Sequence, residues 1–288
     1  MRKVVLIFWL FFLLVSCDSA LEFNINQSDI VVEGWIEADG YPVIIVTETF
    51  PISNRYENVE NLKQFIVKWA KVTVISETDS VVLTGKYDNG YFPPYVYTTS
   101  SIKGEVGKSY TLKVEYKDYN VTAKTTIPEF PEITSFNLHK CDGVDSLYIV
   151  DANFSGNFSE TNYYQCFSRV GAKWRQYFAS FMGSLNGHNL SYSSTIPIYR
   201  SRHLLEDDYT PYYKYNDTIS VKVSQLDSVS YNFWHEYMKT QVTSLNTFFS
   251  FQENLSSNIN GGIGYWCGYA SRRAYFVVKS DTTILLND

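Results

Sequence analysis

The first residue in this sequence with evident chemistry is Cys17. It closes the segment Leu14-Val15-Ser16-Cys17, which follows a basic pair, Arg2 and Lys3, and an apolar run from Val4 to Val15. A cationic start, a short apolar stretch and small residues ahead of a cysteine make a lipobox, the cleavage signal for lipid attachment in bacterial envelopes. Cleavage before Cys17 would expose its sulfur and a new α-amine, both of which take acyl chains such as palmitate. One chain binds a bilayer only marginally, whereas two or more anchor stably. The apolar run is shorter than the roughly 20 residues of a spanning helix, so the sequence predicts a signal peptide over residues 1–16 and lipidation at Cys17.

Elsewhere the chemistry-bearing residues are scattered. The serine-hydrolase elbow GxSxG, the zinc motif HExxH and the phosphate loop are all absent from the sequence. His139, His188, His203 and His235 have no metal-ligand spacing. His203, Glu206, Asp207 and Asp208 form one local cluster that reads as a solvated acidic loop. Asp142 and Asp145 would hold calcium only if a loop gathered six to eight oxygens around the ion. Gly261-Gly262-Ile263-Gly264 precedes a strand pattern, whereas a phosphate loop leads into a helix N-terminus. These glycines therefore read as positions of positive φ or close backbone approach. No catalytic residue, metal site or cofactor is expected.

Aromatic residues are the stronger candidates for recognition. Tyr87, Tyr91, Phe92, Tyr95 and Tyr97 surround Gly90 and Pro93-Pro94, and Tyr209, Tyr212, Tyr213 and Tyr215 crowd around Pro211. Tyrosine supplies large contact area at low entropic cost, so these two loops are candidate contacts for a glycan, a peptide or a protein partner. The competing reading packs the same rings into the core. Asp-Ser or Asp-Thr before an apolar residue or Thr recurs, at Asp79-Ser80-Val81, Asp145-Ser146-Leu147 and Asp217-Thr218-Ile219 among others. The pattern resembles an O-glycosylation acceptor and makes Ser80, Ser146 and Thr218 candidates. Turns and helix caps use the same residues, and Asp227-Ser228 reads as a cap.

These residues must be positioned by a β-rich body. The chain carries 24 Tyr, 19 Phe and 6 Trp with many Thr and Val, types that pack well on pleated surfaces. Loss of Arg2 and Lys3 with the signal takes the net charge from −6 to about −8, and an acidic body without a basic stripe excludes nucleic acid as an expected partner. Beyond Cys17 the cysteines are Cys141, Cys166 and Cys267, an odd number that permits one pair without specifying it.

Residues 17–27 read as a lipidated tether whose ten residues after Cys17 reach about 35 Å when extended. A β-sandwich domain of immunoglobulin or transthyretin type is expected over 28–127, with strands at Ile30–Ile36, Val43–Thr47, Ala70–Ser76, Ser80–Gly85, Lys108–Tyr116 and Val121–Ile127. Alternation there places Tyr110, Leu112, Val114 and Tyr116 on one face, and Trp35 reads as core. Pro128 to Pro131 marks a linker into a second β-rich domain, 128–288. It should hold strands at Ser146–Phe154, Tyr163–Val170, Lys173–Phe181 and Thr218–Val223, and one helix near 227–240. A final hairpin is expected from Ile263–Tyr269 and Ala274–Val278, turning through Ser271-Arg272-Arg273.

The lipobox, Ile30-Val31-Val32-Glu33-Gly34-Trp35-Ile36 followed by Gly40-Tyr41-Pro42, and Asn258-Ile259-Asn260-Gly261-Gly262-Ile263-Gly264-Tyr265-Trp266 resemble the Bacteroidota lipoproteins called domain of unknown function 4249. The resemblance implies an outer-membrane lipoprotein whose face of exposure is open, and a TonB-dependent receptor as partner; it carries no catalytic residues. The expected function is a non-enzymatic accessory or ligand-capture protein for such a receptor. The alternative is a fimbrial or adhesin subunit, which also uses successive β domains but would need a donor strand.

Overall fold

The computed structural model describes residues 29–49, 63–156, 158–192, 194–202, 209–244 and 256–286. Cys17, the tether and the cluster of His203, Glu206, Asp207 and Asp208 lie outside the described residues. The described chain is mainly β, with three sheets and two α-helices.

An eight-stranded sheet forms the centre, in the order β12 (Phe178–Asn186), β11 (Tyr163–Val170), β15 (Thr218–Leu226), β16 (Ile263–Val277), β1 (Ile30–Glu37), β2 (Val43–Glu48), β6 (Tyr95–Thr98) and β5 (Thr84–Tyr87). The joint between its halves is parallel: β1 runs beside β16 from Val31 opposite Ile263 to Glu37 opposite Tyr269. The division expected at residue 128 is therefore bridged by one continuous sheet. The expected C-terminal hairpin is corrected to a single strand, β16. Its Ser271-Arg272-Arg273 segment stays extended because all three residues lie in register with Ser224, Val223 and Lys222 of β15.

Two smaller sheets cover one face of this long sheet. A four-stranded sheet, β4 (Ser80–Val82), β3 (Lys71–Ile75), β7 (Ser109–Tyr116) and β8 (Tyr119–Thr126), packs on the β1–β2–β6 half. The expected alternation holds, since Tyr110, Leu112 and Val114 are buried against Ile36, Ile44 and Trp266. Each aliphatic side chain so enclosed contributes roughly 1.5–3 kcal/mol. Trp266 is fully buried and donates its indole N–H to the Tyr110 carbonyl at 3.0 Å. Gly34 makes room for it, because a Cβ there would come within 2.9 Å of the indole. A five-stranded sheet packs on the β11–β15–β16 half: β13 (Thr195–Ile198), β10 (Val144–Phe154), β9 (Ile133–Cys141) and β17 (Thr282–Leu285), with β14 (Tyr213–Lys214) paired to β10.

The helix α1 (Gly187–Tyr192) is a short addition to the one helix expected. The long one, α2 (Ser228–Ser244), begins where the sequence predicts. Asp227 caps it, accepting the Ser230 N–H at 2.7 Å, an interaction worth about 1 kcal/mol. Phe233 and Trp234 bury the helix against Phe167, Tyr265 and Tyr269 on the opposite face of the long sheet. The same face carries a second buried cluster of Val43, Ile45 and Val96 beside Trp35 and Tyr91, and between the two lies the site described next.

Candidate functional site

Strand alternation decides which side chains reach this face. In β1 the even residues Ile30, Val32 and Ile36 enter the core, so Glu33, Trp35 and Glu37 point the other way. In β16 the same rule sends Trp266 and Ala270 inward and Tyr265, Tyr269 and Arg273 outward, and β15 adds Lys222. Together they floor a pocket of about 200 Å³, walled by Trp234 of α2 and by Trp35, Tyr41 and Tyr91.

At one end of the floor Glu33 accepts hydrogen bonds from the Tyr265 hydroxyl at 2.7 Å and the Gln176 amide at 3.0 Å. Burial outweighs these two donors and raises the carboxyl above its ordinary 4.5. Burial also holds the hydroxyls of Tyr265 and Tyr269 well above 10. At the other end Glu37 takes the Lys222 ammonium at 2.7 Å and also binds the Arg273 guanidinium. Lys222 is enclosed by three rings, its Nζ lying 4.5 Å from the centre of Phe167, 4.8 Å from Tyr177 and 5.1 Å from Tyr269. Burial first and the Arg169 guanidinium second pull the Lys222 ammonium down to about 7; the adjacent Glu37 carboxylate works against that pull. The lysine side chain is 4% exposed and its nitrogen is committed to Glu37, whereas Arg273 is 34% exposed and reaches the cavity.

The rim is tied across the sheet. The Gly90 carbonyl accepts the backbone N–H groups of Arg175 and Gln176, and the Gln176 side-chain oxygen accepts the Phe92 N–H at 2.9 Å. Arg175 pairs with Asp88 at 2.9 Å. Gln176 thus links the loop at residues 88–94 to Glu33 on the floor.

Of the aromatic residues expected to make contacts, Tyr91 alone lines this pocket, 6.2 Å from the Trp35 ring. Tyr95, Tyr97 and Tyr213 are corrected to core residues; their hydroxyls donate to the carbonyls of Lys68, Val67 and Ile198. Proline and glycine neighbours suggested a loop, but Tyr95 and Tyr97 lie in β6, where burial of large rings outweighs local turn signals. Phe92 belongs to the rim, Tyr87 is exposed on β5, and Tyr215 is exposed beyond β14. Tyr209 and Tyr212 are half-buried beside Arg200 and Tyr199, respectively. The two aromatic clusters do not form one surface, because Tyr97 and Tyr213 enter different cores.

Trp35, expected in the core, is instead half-buried at the pocket wall. The sequence reading missed its neighbours Glu33 and Glu37, although the spacing in Glu-Gly-Trp-Ile-Glu puts both carboxylates and the indole on one face of a strand. Lys222 and Arg273 had no such signal. Ser80, Ser146 and Thr218 are exposed. The aspartates beside two of them already serve turns, Asp217 accepting the Lys214 N–H and Asp79 the Thr78 hydroxyl. Cys141, Cys166 and Cys267 are free thiols, and burial pushes the latter two up to about 12. His139 bonds the Lys140 carbonyl and Asp151, and no group of three metal-ligating side chains occurs among the described residues.

Residues 18–274 match the family described as "Domain of unknown function (DUF4249)". No curated protein matches the chain.

Proposed function

The chain belongs to the DUF4249 family, and from that premise we propose that it is a non-enzymatic, lipid-anchored ligand-capture protein of the outer membrane that works beside a TonB-dependent receptor. The pocket over β1, β15 and β16 is its capture site. The carrying observation is the pocket itself: about 200 Å³ of space walled by Trp35, Tyr91 and Trp234, with its charged groups already oriented by one another. Aromatic walls with a few fixed polar groups are what small-ligand sites use, the walls supplying contact area and the polar groups orientation. Rim contacts between residues 88–94 and 175–176 hold that geometry before a ligand arrives, which lowers the ordering cost of binding.

The anchor rests on the lipobox ending at Cys17. Among the described residues no helix is long and apolar enough to cross a membrane. Mild crosslinking in intact cells followed by purification tests the assignment. Wild-type protein should bring down a TonB-dependent receptor from the outer-membrane fraction, and Cys17→Ser should leave that fraction. Recovery of only unrelated proteins, under conditions that preserve other outer-membrane complexes, would overturn the receptor association.

A further inference from the structure

We infer that the Glu33 end of the pocket binds a primary alkylammonium ion, whose N–H groups donate to the Glu33 carboxylate among the rings of Trp35, Tyr91 and Trp234; this rests on the capture reading above and names the ligand class for the same site. The other end of the pocket makes the same arrangement with one of the protein's own side chains. There the Lys222 ammonium donates to Glu37 at 2.7 Å, and the ring centres of Phe167, Tyr177 and Tyr269 lie 4.5, 4.8 and 5.1 Å from its nitrogen. The carboxylate supplies the opposite charge and a hydrogen-bond acceptor. The rings add cation–π attraction, which grows as water is excluded.

Glu33 brings the same ingredients together on the same face of β1. Both of its hydrogen bonds, from the Tyr265 hydroxyl and the Gln176 amide, fall on Oε1, and both donors are neutral. Among the described residues Oε2 accepts no hydrogen bond and no cation pairs with this carboxylate. The side chain is partly open to the cavity it lines, so Oε2 is the acceptor that a ligand meets. Trp35 follows about 7 Å along the strand, with Tyr91 6.2 Å from it, and Trp234 lies 5.0 Å from the Tyr265 ring whose hydroxyl holds Glu33. The other charges lining the pocket are already paired. Arg175 binds Asp88, and Lys222 and Arg273 bind Glu37, about 13 Å from Glu33 along the strand. Burial disfavours an uncompensated carboxylate, and a bound cation compensates it. A metal ion such as calcium would need six to eight oxygens, whereas one carboxylate among rings suits an organic cation.

The test is isothermal calorimetry on the full-length protein in detergent with n-butylammonium, its neutral isostere n-butanol, and Nα-acetyl-lysine amide. At least one of the two ammonium probes should bind about ten- to a hundredfold more tightly than the alcohol, and the tighter of them distinguishes a free amine from a lysine side chain as the source. A change in tryptophan fluorescence should accompany binding, because Trp35 and Trp234 line the site. Glu33→Gln keeps an acceptor for Tyr265 and Gln176 and should remove the preference for the ammonium probes, with its melting curve confirming the fold. Equal binding of alcohol and amine overturns the ammonium assignment, as does a preference that survives in Glu33→Gln. Binding of no probe overturns it too. The crosslinking experiment above judges the capture reading separately, so receptor recovery without amine binding would mark this inference alone as wrong.

Discussion

Replacing Glu33 by Gln should stabilise this protein at neutral pH, and the gain should vanish in acid. Glu33 accepts the Tyr265 hydroxyl and the Gln176 amide through one oxygen, and a glutamine carbonyl can accept both. What the substitution removes is the ionisation. Because burial raises the folded-state value above 4.5, the folded protein holds this proton more tightly than the unfolded chain. Stability is then greatest below pH 4.5 and declines as pH rises from there to the folded-state value. The loss cannot exceed the free energy of protonating an ordinary carboxyl with a value of 4.5 at pH 7, about 3.4 kcal/mol at about 1.36 kcal/mol per pH unit. Urea unfolding of wild type and Glu33→Gln, followed by tryptophan fluorescence at several pH values, measures the difference directly. The variant should be the more stable at pH 7, by up to about 3 kcal/mol or roughly 10 °C in Tm, and the two should converge near pH 4. A variant equally destabilised at both pH values would refute the reasoning, because it would mean that Glu33 acts through a packing contact rather than through its proton.

Lys222 and Glu37 should respond unequally to substitution. Lys222→Met leaves Glu37 paired with Arg273 and keeps a flexible side chain among Phe167, Tyr177 and Tyr269, so chemical denaturation should show a change within about 1 kcal/mol of zero. Glu37→Gln strands two cations and should cost about 3–5 kcal/mol by the same assay. Gly34→Ala pushes a methyl to 2.9 Å from the Trp266 ring and should cost about 1–3 kcal/mol through overpacking, read as a fall in Tm; an unchanged Tm would show that the indole can move. Thiol labelling with a maleimide should modify Cys141 in the native state and reach Cys166 and Cys267 only in denaturant, since both are fully buried. Native labelling of either buried thiol would contradict the packing described here.

Much of the secondary structure was legible because strand alternation and helix capping are local. Tyr110, Leu112 and Val114 announce one buried face of β7, and Asp227 announces the start of α2. The same alternation in β1 would have put Glu33, Trp35 and Glu37 on one face, but Trp35 was expected in the core and the two carboxylates were not singled out. Strand β6 was not legible: its Tyr-Val-Tyr sits beside two prolines, and only the surrounding sheets show that its rings are enclosed. Nor could β16 be recognised as one strand, because Arg272 and Arg273 read as a turn until β15 lies alongside.

By itself the sequence determined the β-rich character of the chain and its family, and it carries the lipobox-like pattern ending at Cys17 on which the proposed anchor rests, since composition, short motifs and residue order are properties of neighbouring positions. Only the tertiary structure decided the pocket. Glu33 meets Tyr265 across 232 residues, and Glu37 meets Lys222 across 185. Contacts of that range depend on the parallel pairing of β1 with β16. No local pattern encodes that pairing; it emerges when two halves of the chain bury apolar side chains on one side of a shared sheet, which brings Glu33, Glu37, Lys222 and Arg273 together among aromatic rings on the other.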